Sequence, residues 1–177
     1  MKTRDSDWVQ SVLDKYEQPL IRYATHITGD IEQAREVVQD TFLKLCRRQE
    51  SQVRDHLAQW LYTVCRNRAL DVRRKERKMT GLSDAQQQIQ DHAGLELSAA
   101  LEQKEQFTEV MSILCTLPAN QQEVLRLKFQ GDLSYIEISR ATKLSVSNVG
   151  FLIHTGLKAI REGIQTQPNF KVVRRVK

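Results

Sequence analysis

The sequence is poor in the residues that interrupt helices. Its 177 residues include only three Pro and seven Gly, and aromatic residues make up 6% of the chain. A fold of many short strands needs frequent turn residues, so this composition predicts an all-α protein. Cysteine is also scarce, since only Cys46, Cys65 and Cys115 occur, far apart and inside apolar helical patterns. We expect buried thiols of a reducing compartment, with a redox role for one of them as the alternative.

The chain also lacks hydrophobic runs long enough to cross a membrane, and its first ten residues contain no apolar signal-peptide core. We therefore expect a cytoplasmic protein that makes no membrane contact. A Gly-rich phosphate loop, a nucleophile with its base, paired carboxylates and grouped metal ligands are all missing from the sequence. This predicts a non-catalytic protein with no cofactor, no metal and no small-molecule substrate.

The most distinctive segment that is present, residues 60–78, joins an apolar helical stripe to a block of positive charge. It holds seven basic and two acidic side chains, so its net charge of +5 equals that of the whole chain. At 100° per residue its arginines cluster opposite the apolar stripe, where they suit phosphate binding, and Asn67 beside them suits a base edge. The alternative is a solvated helix whose arginines only keep the protein soluble.

Hydrophobic periodicity predicts two groups of helices. Three helices are expected at 8–28, 30–48 and 55–78, with Gly29 closing the first and Asp30 capping the second. Four more are expected at 95–117, 120–129, 134–142 and 145–164, with Asn120 as a cap. The last two are spaced as in a helix-turn-helix. We thus predict a helical domain at 1–78, a flexible linker at 79–94, a helix-turn-helix domain at 95–165 and a disordered basic tail at 166–177.

Both domains carry short sequence motifs in a fixed order. The first domain carries EQAREVVQDTFLKL at 32–45, WL at 60–61, RN at 66–67, LD at 70–71 and RR at 73–74. The second carries LP at 117–118, VLRLKF at 124–129, LSY at 133–135 and EI at 137–138. In these motifs the chain resembles the bacterial RNA polymerase sigma factors of the extracytoplasmic-function (ECF) type, the minimal members of the sigma-70 family, over about residues 16–161. This resemblance implies a promoter-specificity subunit whose partners are core RNA polymerase, promoter DNA and an anti-sigma factor.

The resemblance implies that the helix at 30–48 docks on the beta-prime clamp helices of the polymerase. The helical wheel turns four residues inward: Ala34, Val38, Phe42 and Leu45. The candidate polymerase contacts are on the outer face: Glu36, Gln39, Asp40, Leu43 and Arg47. Leu43 is the expected anchor because it is apolar among charged neighbours, although singly exposed leucines are also ordinary on monomers.

The resemblance also implies that the first domain opens DNA at the minus-ten element. In the family, a loop before the basic helix traps a base extruded from the non-template strand, and that loop corresponds here to about 49–57. The candidate contacts on the basic helix are Arg66, Asn67, Arg73, Arg74 and Arg77. Asn67 is the expected base reader. Trp60 could stack on a base, but its position near the apolar face favours packing.

The resemblance implies that the last helix reads the minus-thirty-five element. It also implies that this domain docks on the beta flap of the polymerase. The helical wheel turns Val146, Val149, Ile153, Leu157 and Ile160 inward against Ile136 and Ile138. The candidate DNA contacts are Lys143, Ser145, Ser147, Asn148, Phe151, His154, Thr155 and Lys158. The arginines of the family pattern are missing, so readout would rest on hydroxyls, an amide, His154 and Phe151 against a thymine methyl. A buried Phe151 is the alternative, and Lys143 replaces the family's turn glycine.

Two other functions fit parts of the sequence. One is a helix-turn-helix repressor or activator that binds duplex DNA alone and uses the first domain to dimerise. Such a protein would retard promoter duplex without polymerase and lose affinity steeply with salt. The other is a signalling protein whose main partner is a protein. A recombinase would need a nucleophile-bearing domain, which these helices do not supply.

Overall fold

The computed structural model describes residues 2–80 and 110–166, and the secondary structure in both ranges is entirely helical. The first range contains α1 (Lys2–Thr28), α2 (Ile31–Leu45), α3 (Glu50–Val53), a 3₁₀ turn (Arg54–His56) and α4 (Leu57–Thr80). The second contains α5 (110–116), α6 (Ala119–Phe129), α7 (Tyr135–Thr142) and α8 (Val146–Thr166). The predicted all-α fold class is confirmed. The predicted linker from residue 81 onward, the helix at 95–109 and the tail from residue 167 lie outside the described residues.

The joint between α1 and α2 follows the sequence prediction. Gly29 has φ +79°, a left-handed conformation that glycine adopts without the steric cost of a Cβ, and its N–H donates to the Thr25 carbonyl at 2.8 Å. The carboxylate of Asp30 then accepts the Gln33 N–H at 2.8 Å and caps α2. Two helices are therefore set antiparallel by two adjacent residues.

Helices α1, α2 and α4 pack together as a three-helix bundle. Its fully buried side chains come from all three helices: Leu20, Tyr23, Ala24, Ala34, Leu45, Leu61, Tyr62, Cys65 and Ala69. The inward-facing residues predicted for α2 are all buried, at 6% exposure or less. The packing leaves the outer face of α2 and the basic face of α4 at the surface.

Helices α7 and α8 form the predicted helix-turn-helix, supported by α6. Ser134 and Glu137 cap α7 reciprocally, because the Ser134 Oγ accepts the Glu137 N–H and the Glu137 carboxylate accepts the Ser134 N–H. Lys143 closes α7 with φ +67°, so a lysine holds the left-handed position that glycine favours. The side chain of Lys143 is exposed.

Several local predictions are wrong. The stripe that α8 buries contains Leu152 and Gly156 beside Val149 and Ile153, whereas Val146 and Leu157 are 44% and 38% exposed. Helix α8 packs on both α6 and α7, so its buried face is rotated relative to a helix with a single neighbour. The sequence predicts that Ile136 and Cys46 are buried, but both are exposed, Cys46 just beyond α2. The N-cap of α6 is Pro118 and not the predicted Asn120.

The two helical groups contact each other, chiefly through α4 and α7. The Tyr62 hydroxyl on α4 donates to the Gln130 carbonyl at the end of α6, at 3.3 Å. Gly131 makes close packing possible there, since a Cβ at this position would lie 3.1 Å from Tyr62 Cε2.

Candidate nucleic-acid and protein interfaces

The basic face of α4 forms a shallow groove. Arg73, Arg74 and Arg77 line it together with Leu70, around a volume of about 220 Å³. Arg74 is exposed and makes a loose ion pair with Asp71, at 3.4 Å. Because several guanidinium groups converge on one concave surface, the groove suits an anion such as a phosphate.

Asn67 lies on the same side of α4, seven residues before Arg74 and therefore two turns away on the same face. Its side chain is exposed to solvent. The sequence prediction of an amide beside the guanidinium groups thus agrees with the observed placement. An exposed carboxamide at this position can both donate to and accept from a base edge.

Arg66 is placed differently from the other candidate arginines. Its side chain is 17% exposed, and its Nε and Nη2 donate to the two carboxylate oxygens of Glu123 on α6, at 2.6 and 3.1 Å. Burial disfavours the charged guanidinium, but the Glu123 hydrogen bonds outweigh this effect and raise the pKa of Arg66. Arg66 therefore faces the second helical group and not the groove.

A second groove, of about 400 Å³, separates the end of α2 from α3 and α4. Its lining is basic and aromatic: Lys44, Arg47, Arg48, Gln52, Trp60 and Val64. Trp60 is partly buried and packs against the core, as predicted, but it also contributes to the groove wall. Gln52 lies in the predicted base-trapping loop, whereas Lys44 and Arg48 are not among the residues predicted from the sequence. The basic run KLCRR at 44–48 is the signal that could have identified these two basic residues.

The outer face of α2 carries the predicted protein contacts. Glu36, Gln39 and Arg47 are exposed, and Leu43 is 53% exposed. Asp40 is partly exposed and accepts a 2.8 Å hydrogen bond from Arg68 of α4. The surface thus presents one apolar side chain among polar groups, which is the arrangement of an interface anchor.

Most of the residues predicted to read DNA from the last helix lie at the protein surface. Those exposed to solvent are Ser145, Ser147, Asn148, Phe151, His154 and Lys158. Phe151 is 63% exposed, so a buried ring, the alternative reading, is wrong. Thr155 is less available, because its Oγ1 donates to the Phe151 carbonyl at 2.8 Å and accepts from Gln121 Nε2 at 2.9 Å.

Comparison with known proteins identifies both helical groups. The family profile described as "Sigma-70 region 2" matches residues 12–79, and "Sigma-70, region 4" matches residues 107–160. The chain is 27% identical over 161 residues to the ECF RNA polymerase sigma factor SigL of Mycobacterium tuberculosis, covering 89% of each chain. It is 29% identical over 159 residues to the ECF sigma factor SigM of Bacillus subtilis, covering 86% of this chain and 94% of that one.

The chain belongs to the ECF-type sigma factors of the sigma-70 family. A solved structure agrees on the fold: the sigma factor RpoE of Bartonella quintana, crystallised in complex with the anti-sigma factor NepR. The TM-score is 0.66 at 18% sequence identity, over 89% of this chain and 97% of RpoE. Both α4 grooves and the outer face of α2 thus lie in region 2 of this sigma factor, and α8 lies mostly in region 4.

The described residues of this ECF sigma factor show little sign of metal binding, membrane spanning or thiol reactivity. Within them, no three His, Cys, Asp or Glu side chains are grouped so as to hold a metal ion. No helix of residues 2–80 or 110–166 is long and apolar enough to span a bilayer. Cys65 is buried, and desolvation raises the pKa of its thiol to about 12, which leaves it protonated and unreactive.

Proposed function

We propose that this chain binds core RNA polymerase and directs promoter-specific transcription initiation, as a non-catalytic specificity subunit that acts in the cytoplasm. The observation that carries the proposal is the presence of two separate surfaces within one sigma-70 region 2. One is the outer face of α2 around Leu43, and the other is the basic face of α4 with Asn67. A subunit that holds a polymerase and a DNA strand together needs two such surfaces.

The α2 surface is proposed to dock on the beta-prime clamp helices. Leu43 would insert its side chain, 53% exposed in the free protein, into an apolar part of the partner. Glu36, Gln39 and Arg47 surround it and would exclude water and set the register. Asp40 would do so together with Arg68, to which it is already bound.

The two grooves on α4 are proposed to engage the minus-ten element after the duplex opens. Arg73, Arg74 and Arg77 would hold backbone phosphates, while Asn67 contacts a base edge. Extruding a base costs a few kcal/mol of lost stacking. Stacking on an aromatic side chain contributes about 1–3 kcal/mol per base, and the groove that Trp60 lines with Arg48 is the site we propose for it.

Region 4 is proposed to read the minus-thirty-five element in the major groove through α8. The exposed Asn148, Phe151 and His154 offer an amide, a ring for a thymine methyl and an imidazole. The exposed face of α8 presents no arginine before Arg161, so we expect weak selection for guanine. Lys143, exposed at the left-handed turn, would contact a phosphate instead.

Two further partners belong to the proposal. Region 4 is expected to dock on the beta flap, and its exposed apolar side chains, Phe129 and Ile136 among them, supply contact area. An anti-sigma factor is expected too, because the similar RpoE of Bartonella quintana crystallised with the anti-sigma factor NepR.

The test is reconstitution with core RNA polymerase. The purified chain should co-purify with the core enzyme, and the pair should give discrete run-off transcripts on fragmented genomic DNA. Gel-retardation assays should show no specific promoter-duplex binding without polymerase. A chain that fails to bind core enzyme but retards a specific duplex alone would instead be a stand-alone helix-turn-helix regulator.

A further inference from the structure

One carboxylate of region 4 is held by two side chains of region 2. Glu123 accepts both guanidinium hydrogen bonds of Arg66, one on each carboxylate oxygen, and a third from the Tyr23 hydroxyl at 3.0 Å. Arg66 and Glu123 are 57 positions apart and are 17% and 18% exposed. Three donated hydrogen bonds at low exposure distinguish this pair from five ion pairs whose side chains are more exposed: Arg35–Glu32, Arg54–Glu50, Arg68–Asp40, Arg74–Asp71 and Lys158–Glu162.

The geometry of the pair is the geometry in which arginine binds a phosphate. A guanidinium offers two parallel N–H donors, and these fit two oxygens of either a carboxylate or a phosphate. Both donors cannot serve Glu123 and a DNA phosphate at the same time. The Nε and Nη2 donors of Arg66 are therefore unavailable to a DNA phosphate while the pair persists.

The surrounding contacts show that the pair belongs to a packed interface. Tyr23 and Tyr62 are fully buried and stack edge to face, with ring centroids 5.2 Å apart and an interplanar angle of 74°. Tyr62 also donates to the Gln130 carbonyl, and Gly131 lies directly against its ring. Region 4 thus covers the hydroxyl ends of Tyr23 and Tyr62 in region 2, together with Arg66.

We infer that region 4 inhibits region 2 in the free protein, with Glu123 occupying Arg66 in place of a DNA phosphate. The inference rests on the proposed role of region 2 in binding the minus-ten strand. Separation of the two regions releases Arg66 toward DNA and returns Glu123 to solvent. Binding of a promoter strand then favours the open form, because only that form offers Arg66.

The variant Glu123→Ala tests the inference, with Glu162→Ala as its matched control. Glu162 is an exposed acid on α8, so its removal changes net charge equally without touching the interface. Small-angle X-ray scattering of the free full chain should show a larger radius of gyration for Glu123→Ala only. Fluorescence anisotropy with a labelled non-template oligonucleotide should show tighter binding, by about tenfold if the open form is about a tenth of the wild-type population.

A charge-reversed pair provides the second arm. Arg66→Glu should open the free protein by repulsion from Glu123, and adding Glu123→Arg should restore the compact radius of gyration. An unchanged radius for Glu123→Ala overturns the inference, whatever happens to DNA binding. A larger radius with unchanged oligonucleotide affinity overturns the claim that the contact masks Arg66. Core-dependent transcription is scored separately, so its failure would count against the proposed function and leave the scattering result standing.

Discussion

Arg68 on α4 donates a 2.8 Å hydrogen bond to Asp40 on α2, and the pair connects the helix assigned to DNA with the helix assigned to polymerase. Both side chains are at least a third exposed, so the pair contributes at most about 1 kcal/mol to stability. Its effect is on position, because it orients Asp40 along α2 one turn before Leu43. Leu43 itself is 53% exposed, so substituting it should affect the interface and not the fold.

Leu43→Glu should weaken binding to core polymerase by about 10- to 30-fold, the loss of a typical interface anchor. Its free energy of unfolding should change by less than about 0.5 kcal/mol, as for an exposed position. Affinity is measured by biolayer interferometry with immobilised core enzyme. Gln18→Glu, which adds the same charge to an exposed site on α1, should bind normally. Normal core binding by Leu43→Glu would show that α2 docks through another face.

Asn67→Ala should impair promoter opening while leaving core binding unchanged. Loss of a contact between an amide and a base edge costs about 1–3 kcal/mol, so open complexes should decrease by about 5- to 150-fold. Permanganate footprinting of the minus-ten region measures opening directly. Asn120→Ala removes an exposed asparagine from region 4 and serves as the control. Equal loss of core binding and opening would mean that Asn67 acts on the fold.

Phe151→Ala should reduce discrimination at the minus-thirty-five element without loss of stability. The ring is 63% exposed, and the control is Met79→Ala, which truncates an exposed apolar side chain outside the proposed contacts. Competition with promoters in which thymines are replaced by uracils, which lack the methyl group, should separate wild type from Phe151→Ala. A large decrease in melting temperature for Phe151→Ala would instead show that the ring packs in the core.

Two glycine substitutions should change stability in opposite directions. A Cβ at Gly131 would lie 2.5 Å from Leu133 Cδ1 and 2.8 Å from the Leu127 carbonyl oxygen, so Gly131→Ala should destabilise the protein by about 1–3 kcal/mol. A Cβ at Gly150, within α8, would meet Tyr135 at an ordinary 3.6 Å. Gly150→Ala should therefore stabilise by about 0.5–1 kcal/mol. Urea denaturation distinguishes the two, and equal shifts would contradict the packing argument.

His26 should make the protein sensitive to acid. Burial lowers the pKa of His26 to about 3, with further contributions from Arg126 and Arg73. Below about pH 6.5 the unfolded chain binds a proton at this residue that the folded chain does not, so the free energy of unfolding decreases as the pH falls toward 3. The slope is at most about 1.4 kcal/mol per pH unit.

His26→Gln should flatten this decline, and His56→Gln, at an exposed site, should leave it as in wild type. Chemical denaturation at pH 7, 6, 5 and 4 provides the measurement. Parallel curves for wild type and His26→Gln would mean that His26 accepts its proton in the folded protein.

Local chemistry explains which predictions agree with the structure. The Gly29–Asp30 joint, the inward face of α2 and the helix-turn-helix each depend on residues within a few positions of one another. Periodicity and capping act over that range, so sequence alone identifies them. The positions of Asn67 and Leu43 at the surface follow from the same helical period.

Longer-range packing explains the failures. The buried stripe of α8 depends on the positions of both α6 and α7, which a helical wheel does not include. The wheel therefore predicts that Leu157 faces inward and omits Leu152. The Arg66–Glu123 bond joins two separately predicted domains. No periodic signal connects positions that far apart, so a residue assigned to DNA by its motif is found bound to a carboxylate.

The three thiols differ enough in environment to be told apart chemically. Cys46 is exposed immediately after α2, Cys65 is buried with a pKa of about 12, and Cys115 is partly covered. A maleimide dye at neutral pH should thus couple first to Cys46. Since Cys46 precedes Arg47 at the edge of the proposed polymerase surface, the natural chain already carries a fluorescent reporter position for its own docking.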